Sequence, residues 1–198
     1  MSAGCLVAFE GLDQSGKQTQ AEWLAAALRA AGRGVQTLSF PEYQTSIGAE
    51  IAAALQGRRP YGPDVLQLLY IANRYEFAPR IRAWLAEGQV VVADRYAASS
   101  LAYGEAQGLD VAWLAETQRL LPPAALTVLL DITPETSLSR KRAARDRFER
   151  DLPLLGRVRD SYRRQAQADG WWVIDGTLAA DAVRAEVTAA VRERLALP

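Results

Sequence analysis

Seven residues, Gly11-Leu-Asp-Gln-Ser-Gly16-Lys17, follow the apolar run Leu6–Glu10 and precede an Ala-rich stretch of helical periodicity. A strand, a GxxxxGK turn and a helix in that order gather backbone N–H groups and a helix N-terminus around one phosphate. Gly11 and Gly16 let the main chain approach that phosphate closely. Lys17 would set a point charge against β/γ oxygens. The next position holds Gln18, where a Ser or Thr hydroxyl normally ligates Mg²⁺, and Thr19 follows one place later. Either the metal is held through water and substrate phosphates, which Mg²⁺ tolerates, or Gln18 supplies an amide oxygen.

Three further groups could bind a second substrate. Asp94-Arg95-Tyr96 closes the apolar run Gln89–Ala93, at the carboxyl edge of a sheet where ligands of open α/β folds bind. Asp94 could hold water or metal there, and Arg95 could grip a phosphate with two hydrogen bonds. The plainer reading is a helix-capping Asp with an Arg partner. Tyr70 and Arg74 lie four apart on one helix face. They could stack on a nucleobase and hydrogen-bond its edge, or simply pack at the surface. Phe40-Pro41-Glu42-Tyr43 follows another strand, as a terminator or as an apolar wall for a base. The densest basic run, Arg140-Lys-Arg142-Ala-Ala-Arg145-Asp-Arg147, reads as a solvated helix face or as a nucleic-acid contact. Beside a phosphate loop it also suits a lid that brings charge to a transferring phosphoryl group.

The elements that must position these groups alternate along the chain. Strands are expected at Leu6–Glu10, Val35–Phe40, Gln89–Ala93, Leu126–Asp131 and Trp171–Ile174. Helices are expected at Lys17–Ala31, Ser46–Leu55, Pro63–Glu87, Arg95–Gln107, Asp110–Leu120, Pro134–Ala144, Leu154–Ala168 and Leu178–Leu195. Such alternation predicts an α/β fold with a parallel sheet covered on both faces. A chain of 198 residues without a linker or repeat predicts one domain, 1–198, with a lid at about 140–153. Lys plus Arg and Asp plus Glu number 23 each, so no global field attracts nucleic acid or an anionic membrane. With no His and one Cys, imidazole acid–base chemistry, Cys/His zinc sites and disulfide frameworks are excluded. The lack of a long apolar run and of a signal-peptide pattern predicts a cytoplasmic protein.

Taken together, these residues resemble the thymidylate kinase family. Phe9-Glu-Gly-Leu-Asp13 with Gly16-Lys17 resembles its FEGxD…GK signature. Asn73-Arg74 falls in its helix bearing a thymine-binding Arg, and Asp94-Arg95-Tyr96…Ser99…Ala102-Tyr103 resembles its DRYxxSxxAY stretch. Asp175-Gly-Thr177 fits its turn after the last strand, and the resemblance spans nearly the whole chain. It implies a P-loop NTPase fold of the nucleoside monophosphate kinase type, with a five-stranded parallel sheet flanked by helices on both faces. It implies transfer of the ATP γ-phosphoryl group to dTMP, with Mg²⁺, in a homodimer without nucleic-acid or membrane partners.

The resemblance also implies roles. Gly11, Leu12, Asp13, Gln14, Ser15, Gly16, Lys17, Gln18 and Thr19 would hold the ATP phosphates, Arg140 would stack on adenine, and Asp175, Gly176 and Thr177 would contact its edge. Tyr70 would stack on thymine, where the family usually has Phe. Arg74 would bond the base O4, and Ser100 would lie near the base edge, with Ser99 and Tyr43 in the same site. Phe40 and Pro41 would border the 5-methyl group, Arg95 would hold the dTMP phosphate, and Tyr103 would crowd the sugar 2′ position. Asp13 would sit between the substrates, and Asp13, Asp94 and Gln18 are the metal candidates. Some members carry an Arg at the position of Gln14, whereas others place it in the lid. This chain resembles the latter, which makes Arg142 and Arg145 the catalytic candidates beside Asp13, Lys17 and Arg95, with Arg147 a further lid candidate. Where some members bind phosphate with an Arg, this chain has Tyr43. A kinase for another acceptor and an ATP-dependent regulator without turnover are the rival expectations.

Overall fold

The computed structural model describes residues 4–140 and 151–197. Five strands form one parallel sheet: β1 (Cys5–Glu10), β2 (Val35–Ser39), β3 (Val90–Asp94), β4 (Leu126–Asp131) and β5 (Trp172–Asp175), in the order β2-β3-β1-β4-β5. The helices are α1 (Lys17–Ala30), α2 (Ser46–Leu55), α3 (Pro63–Tyr75), α4 (Ala78–Ala86), α5 (Ala97–Ala106), α6 (Val111–Gln118), α7 (Pro134–Arg140), α8 (Leu152–Asp169) and α9 (Ala180–Leu195). All five expected strands are present, shifted by one residue at most of their ends.

Side chains alternate across the sheet, as the strand period requires. Val7 and Phe9 of β1 join Val92, Val128, Leu130 and Ile174 beneath α1 and α9. Leu6 and Ala8 face the opposite way, with Val91 and Ala93, onto Phe77 and Ile81. On that same face Leu129 meets α5 and α8 through Ala102, Leu155, Val158 and Tyr162. The central strands β1, β3 and β4 are therefore dry on both faces and read as nearly continuous apolar runs, whereas the edge strands β2 and β5 keep exposed residues.

Register brings the strand ends together. Phe9 lies beside Asp94, Asp94 beside Ser39, and Asp131 beside Asp175. The segments following β1, β2, β3 and β5 thus leave the sheet along one carboxyl edge.

Two expectations are corrected. The single helix expected over Pro63–Glu87 is broken at Glu76–Phe77 into α3 and α4. Pro79 sits in the first turn of α4, where its missing N–H is harmless; within one long helix its ring would collide with the preceding turn. The break turns Phe77 inward against Phe40, with ring centroids 5.6 Å apart. The helix expected from Arg95 instead starts at Ala97, because Arg95 takes a left-handed turn with φ 64°.

Candidate active site

The phosphate loop is a consequence of close backbone packing. A Cβ on Gly11, whose φ is 137°, would lie 2.4 Å from the Leu130 carbonyl oxygen, so only glycine fits. Gly16 enters α1 with φ 97°, and no side chain caps that helix. Its first-turn N–H groups and positive dipole end remain available to an anion. Ser137 on α7 donates to the Asp13 carbonyl at 2.7 Å, tying the loop to the far side of the sheet. Lys17 is not a loose loop lysine. It is buried, and its Nζ donates to the Leu12 carbonyl at 2.7 Å. Burial, then Arg95, lowers its pKa to about 8.

The adenine-side candidates gather above this loop. Arg140 Nη1 donates to the Gln14 carbonyl at 3.1 Å. Gly176 closes against the loop, since a Cβ there would stand 3.3 Å from the Ser15 carbonyl. Asp175 Oδ1 accepts from the Thr177 N–H at 2.8 Å and the Thr177 hydroxyl at 2.6 Å. Gln18 and Thr19 are exposed on α1, and Gln18 donates to Glu22 at 2.8 Å rather than reaching into the loop. Arg142, Arg145 and Arg147 lie outside the described residues.

Asp13, Phe40, Pro41, Tyr43, Tyr70, Arg74, Arg95, Ser99, Ser100 and Tyr103 all line one cavity of about 110 Å³ beside the loop. Every acceptor-site residue expected from the sequence is among them. The Phe40–Pro41 peptide is cis, and Asn73 pins the following loop to α3 by accepting from the Glu42 N–H at 2.8 Å and donating to its carbonyl at 3.1 Å. Arg74 is buried; its Nη1 donates to Ser100 at 2.8 Å, and its guanidinium lies 5.9 Å from the Phe40 ring centroid.

Arg95 is fixed by a directed network. Its Nη2 meets Asp13 at 2.6 Å, and its Nη1 donates to Ser99 at 3.3 Å and to the Tyr162 hydroxyl at 3.2 Å. Ser99 and Tyr162 pass their own protons to Glu10, at 2.7 and 3.1 Å. The second Glu10 oxygen accepts the Tyr96 N–H at 2.8 Å. Burial, then Glu10, pushes the Tyr162 phenol well above its usual range, so it stays a donor. Burial also raises the Glu10 pKa, opposed by the Ser99 hydrogen bond and by Arg95. The guanidinium is thereby aimed along the cavity by a carboxylate it does not touch.

Sequence reasoning missed Glu10, Leu55, Gln67 and Tyr162. Glu10 carried a signal, as the one charged residue in the β1 strand. Gln67 carried one as well, standing three before Tyr70 and seven before Arg74 on one helix face. Leu55 and Tyr162 had none, since their roles arise only from long-range packing.

A metal must be considered with phosphates. Among the described residues, no group of three or more His, Cys, Asp or Glu is placed to hold an ion. Asp13 Oδ1 is taken by Arg95, but Asp94 keeps a buried Oδ1 without a partner at the same strand end. That suits an ion with one carboxylate and substrate phosphates as its main ligands.

Comparison with known proteins gives the same direction. The family model described as Thymidylate kinase matches residues 9–187. The thymidylate kinase of Thermomicrobium roseum is 40% identical over 197 residues, spanning 92% of this chain and 93% of its own. That of Homo sapiens is 30% identical over 186 residues, spanning 93% and 88%. The solved structure of the Candida albicans thymidylate kinase superposes with a TM-score of 0.83 at 26% identity, covering 98% of this chain and 93% of that one.

Proposed function

The chain belongs to the thymidylate kinase family, and from that premise we propose that it transfers the ATP γ-phosphoryl group to the 5′-phosphate of dTMP, giving dTDP and ADP. The observation carrying this reading is the single cavity that unites all the acceptor residues next to the phosphate loop. No protein nucleophile is needed, because the acceptor phosphate oxygen attacks directly. That oxygen is already anionic, so a chain without His lacks nothing essential. Catalysis is positioning and charge neutralisation. Loop amides and Lys17 hold the donor phosphates, and Arg95 holds the acceptor phosphate in line. Tyr70 and Arg74 fix the base, and Tyr103 closes on the sugar. Arg142 and Arg145 of the lid segment bring further positive charge to the moving group. Asp94 would hold Mg²⁺ together with the phosphates, and the ion would neutralise charge on the bridging oxygens.

The reading extends to a homodimer. It is supported by exposed Val65 and Leu68 on α3 and Val111 and Trp113 on the adjoining α6. No helix among the described residues is long and apolar enough to cross a membrane. The cytoplasm, where ATP and nucleoside monophosphates are supplied, is the proposed location.

An acceptor panel tests the proposal. ADP release is expected with dTMP well above that with dCMP, dGMP or thymidine, and Arg74→Ala should raise the dTMP KM roughly tenfold or more, the cost of a charged hydrogen bond. Preference for thymidine over dTMP, or an unchanged KM in the variant, would overturn the assignment.

Lys17 gives a pH prediction. Its pKa in the free enzyme is about 8, below the ordinary lysine value of 10.5. Above pH 8 the free enzyme loses the charge that meets ATP, so kcat/KM for ATP should fall as pH rises. Bound phosphates favour the charged form, so kcat at saturating ATP should hold to higher pH. Folding stability moves the other way. Between about pH 8 and 10.5 the unfolded chain binds this proton and the folded one does not, so this residue's contribution rises with pH there. A kcat/KM profile flat to pH 10 would rule the shift out.

A further inference from the structure

The acceptor cavity contains buried polar atoms that bond to nothing among the described residues. Gln67 is 1% exposed and lines the cavity, yet neither its Nε2 nor its Oε1 has a partner. Arg74 Nε is in the same state, although its Nη1 is fixed on Ser100. Buried side-chain amides are ordinarily satisfied, because burial strips them of water without replacing its hydrogen bonds. An amide left so on both ends, on a cavity wall, has the form of a ligand-binding group.

The chemistry narrows the ligand. A carboxamide offers one acceptor and one donor side by side, which matches a ring imide: an N–H flanked by carbonyls. Arg74 offers only donors, so it selects a carbonyl where cytosine would present an amino group. Ser100 Oγ already accepts from Arg74, which makes it a support for that arginine. Of the fully buried cavity atoms without partners, Gln67 Oε1 is the one acceptor.

We propose that Gln67 is a base-binding residue that holds the imide edge of thymine, with Oε1 accepting the N3–H and Nε2 donating to an adjoining ring carbonyl. The inference rests on the cavity being the dTMP site. Gln67, Tyr70 and Arg74 stand at i, i+3 and i+7 on α3, so one helix face supplies the stacking ring, the donor and the amide. Gln67 can turn its amide over to suit either pyrimidine, and Arg74 decides which one fits.

The test uses Gln67→Met, nearly equal in length, and Gln67→Leu as a second apolar replacement, with dTMP and N3-methyl-dTMP as ligands. Both variants should raise the dTMP KM roughly tenfold with kcat little changed, since the contact is made equally in ground and transition states. N3-methylation should weaken binding strongly in the wild type and much less in the variants, which is the coupling a direct contact requires. Without ligand, the unfolding temperature should stay the same or rise, because an unsatisfied amide has been removed. A wild-type dTMP KM in the variants, or an undiminished N3-methyl penalty, would overturn the proposal. So would a lowered ligand-free unfolding temperature, or failure of both variants to fold, since either makes Gln67 a structural residue. If the wild type turns over dTMP while those results fail, only Gln67's role is lost. If the wild type does not phosphorylate dTMP, the site reading falls with it.

Discussion

Arg95→Met is expected to lower kcat/KM for dTMP by roughly 10²–10³-fold, the loss seen when one preorganised charge-stabilising donor is removed from a reacting centre. Methionine keeps the apolar stem but ends short of the guanidinium, which lies 5.6 Å from the Tyr103 ring centroid. On the proposed function it removes the charge that offsets the approach of two phosphates. Arg95→Lys should recover little, because the fork is divided between Asp13 on one prong and two hydroxyls on the other. A point charge cannot reproduce both. Steady-state kinetics at varied dTMP, with ATP saturating, read the effect directly. A methionine variant within threefold of the wild type would mean that the acceptor phosphate is held elsewhere.

The second large effect is on stability. Glu10 is fully buried and accepts from the Tyr96 N–H, the Ser99 hydroxyl and the Tyr162 hydroxyl. Glu10→Ala leaves the Tyr96 N–H and one of the two hydroxyls without an acceptor, since Ser99 and Tyr162 lie 2.9 Å apart and only one can donate to the other, and it takes the counter-charge from Arg74 and Arg95. Breaking a buried charge pair on one side typically costs about 3–5 kcal/mol. For a chain of this size that corresponds to roughly 10 °C in Tm. Glu10→Gln preserves shape but turns an NH₂ toward a donor, so an intermediate loss is expected. Activity should fall as well, because the hydroxyls that orient Arg95 lose the carboxylate that fixes them. Thermal unfolding of the purified variants measures the first effect. Glu10→Ala melting at the wild-type temperature would show that the network carries no stability.

Much of this site was legible in the sequence because its residues come in short local clusters. Gly11–Lys17, Asp94–Tyr96 and Phe40–Tyr43 each close a strand, and strands of a parallel sheet deliver their ends to one edge. The order of apolar runs therefore placed the clusters at the strand ends on one edge, helix spacing paired Tyr70 with Arg74, and the family resemblance added Ser99, Ser100 and Tyr103. What stayed hidden depends on packing between distant segments. Tyr162 enters from α8 to reach Glu10, 152 positions away in sequence. Spacing predicts that Lys17 meets phosphate oxygens, and only the fold shows it buried and bonded back to the Leu12 carbonyl. The break between α3 and α4 was overlooked although Pro79 marked it, because the apolar periodicity continues through it. Local chemistry was readable, and the supporting shell was not.

One consequence follows from β1 itself. Its last residue, Glu10, anchors the acceptor arginine through two hydroxyls, and the next residue begins the donor loop. The Arg95 N–H also bonds the Phe9 carbonyl at 2.9 Å. Donor and acceptor supports thus share a single strand end as their common reference. With the substrates seated as proposed, a flexing sheet would carry both in the same direction, and the gap between the reacting oxygen and phosphorus would change far less than either position. An in-line transfer is sensitive to misplacement of about 1 Å. On that reading, mounting both holders on one post would make the gap tolerant of thermal motion without requiring a rigid protein.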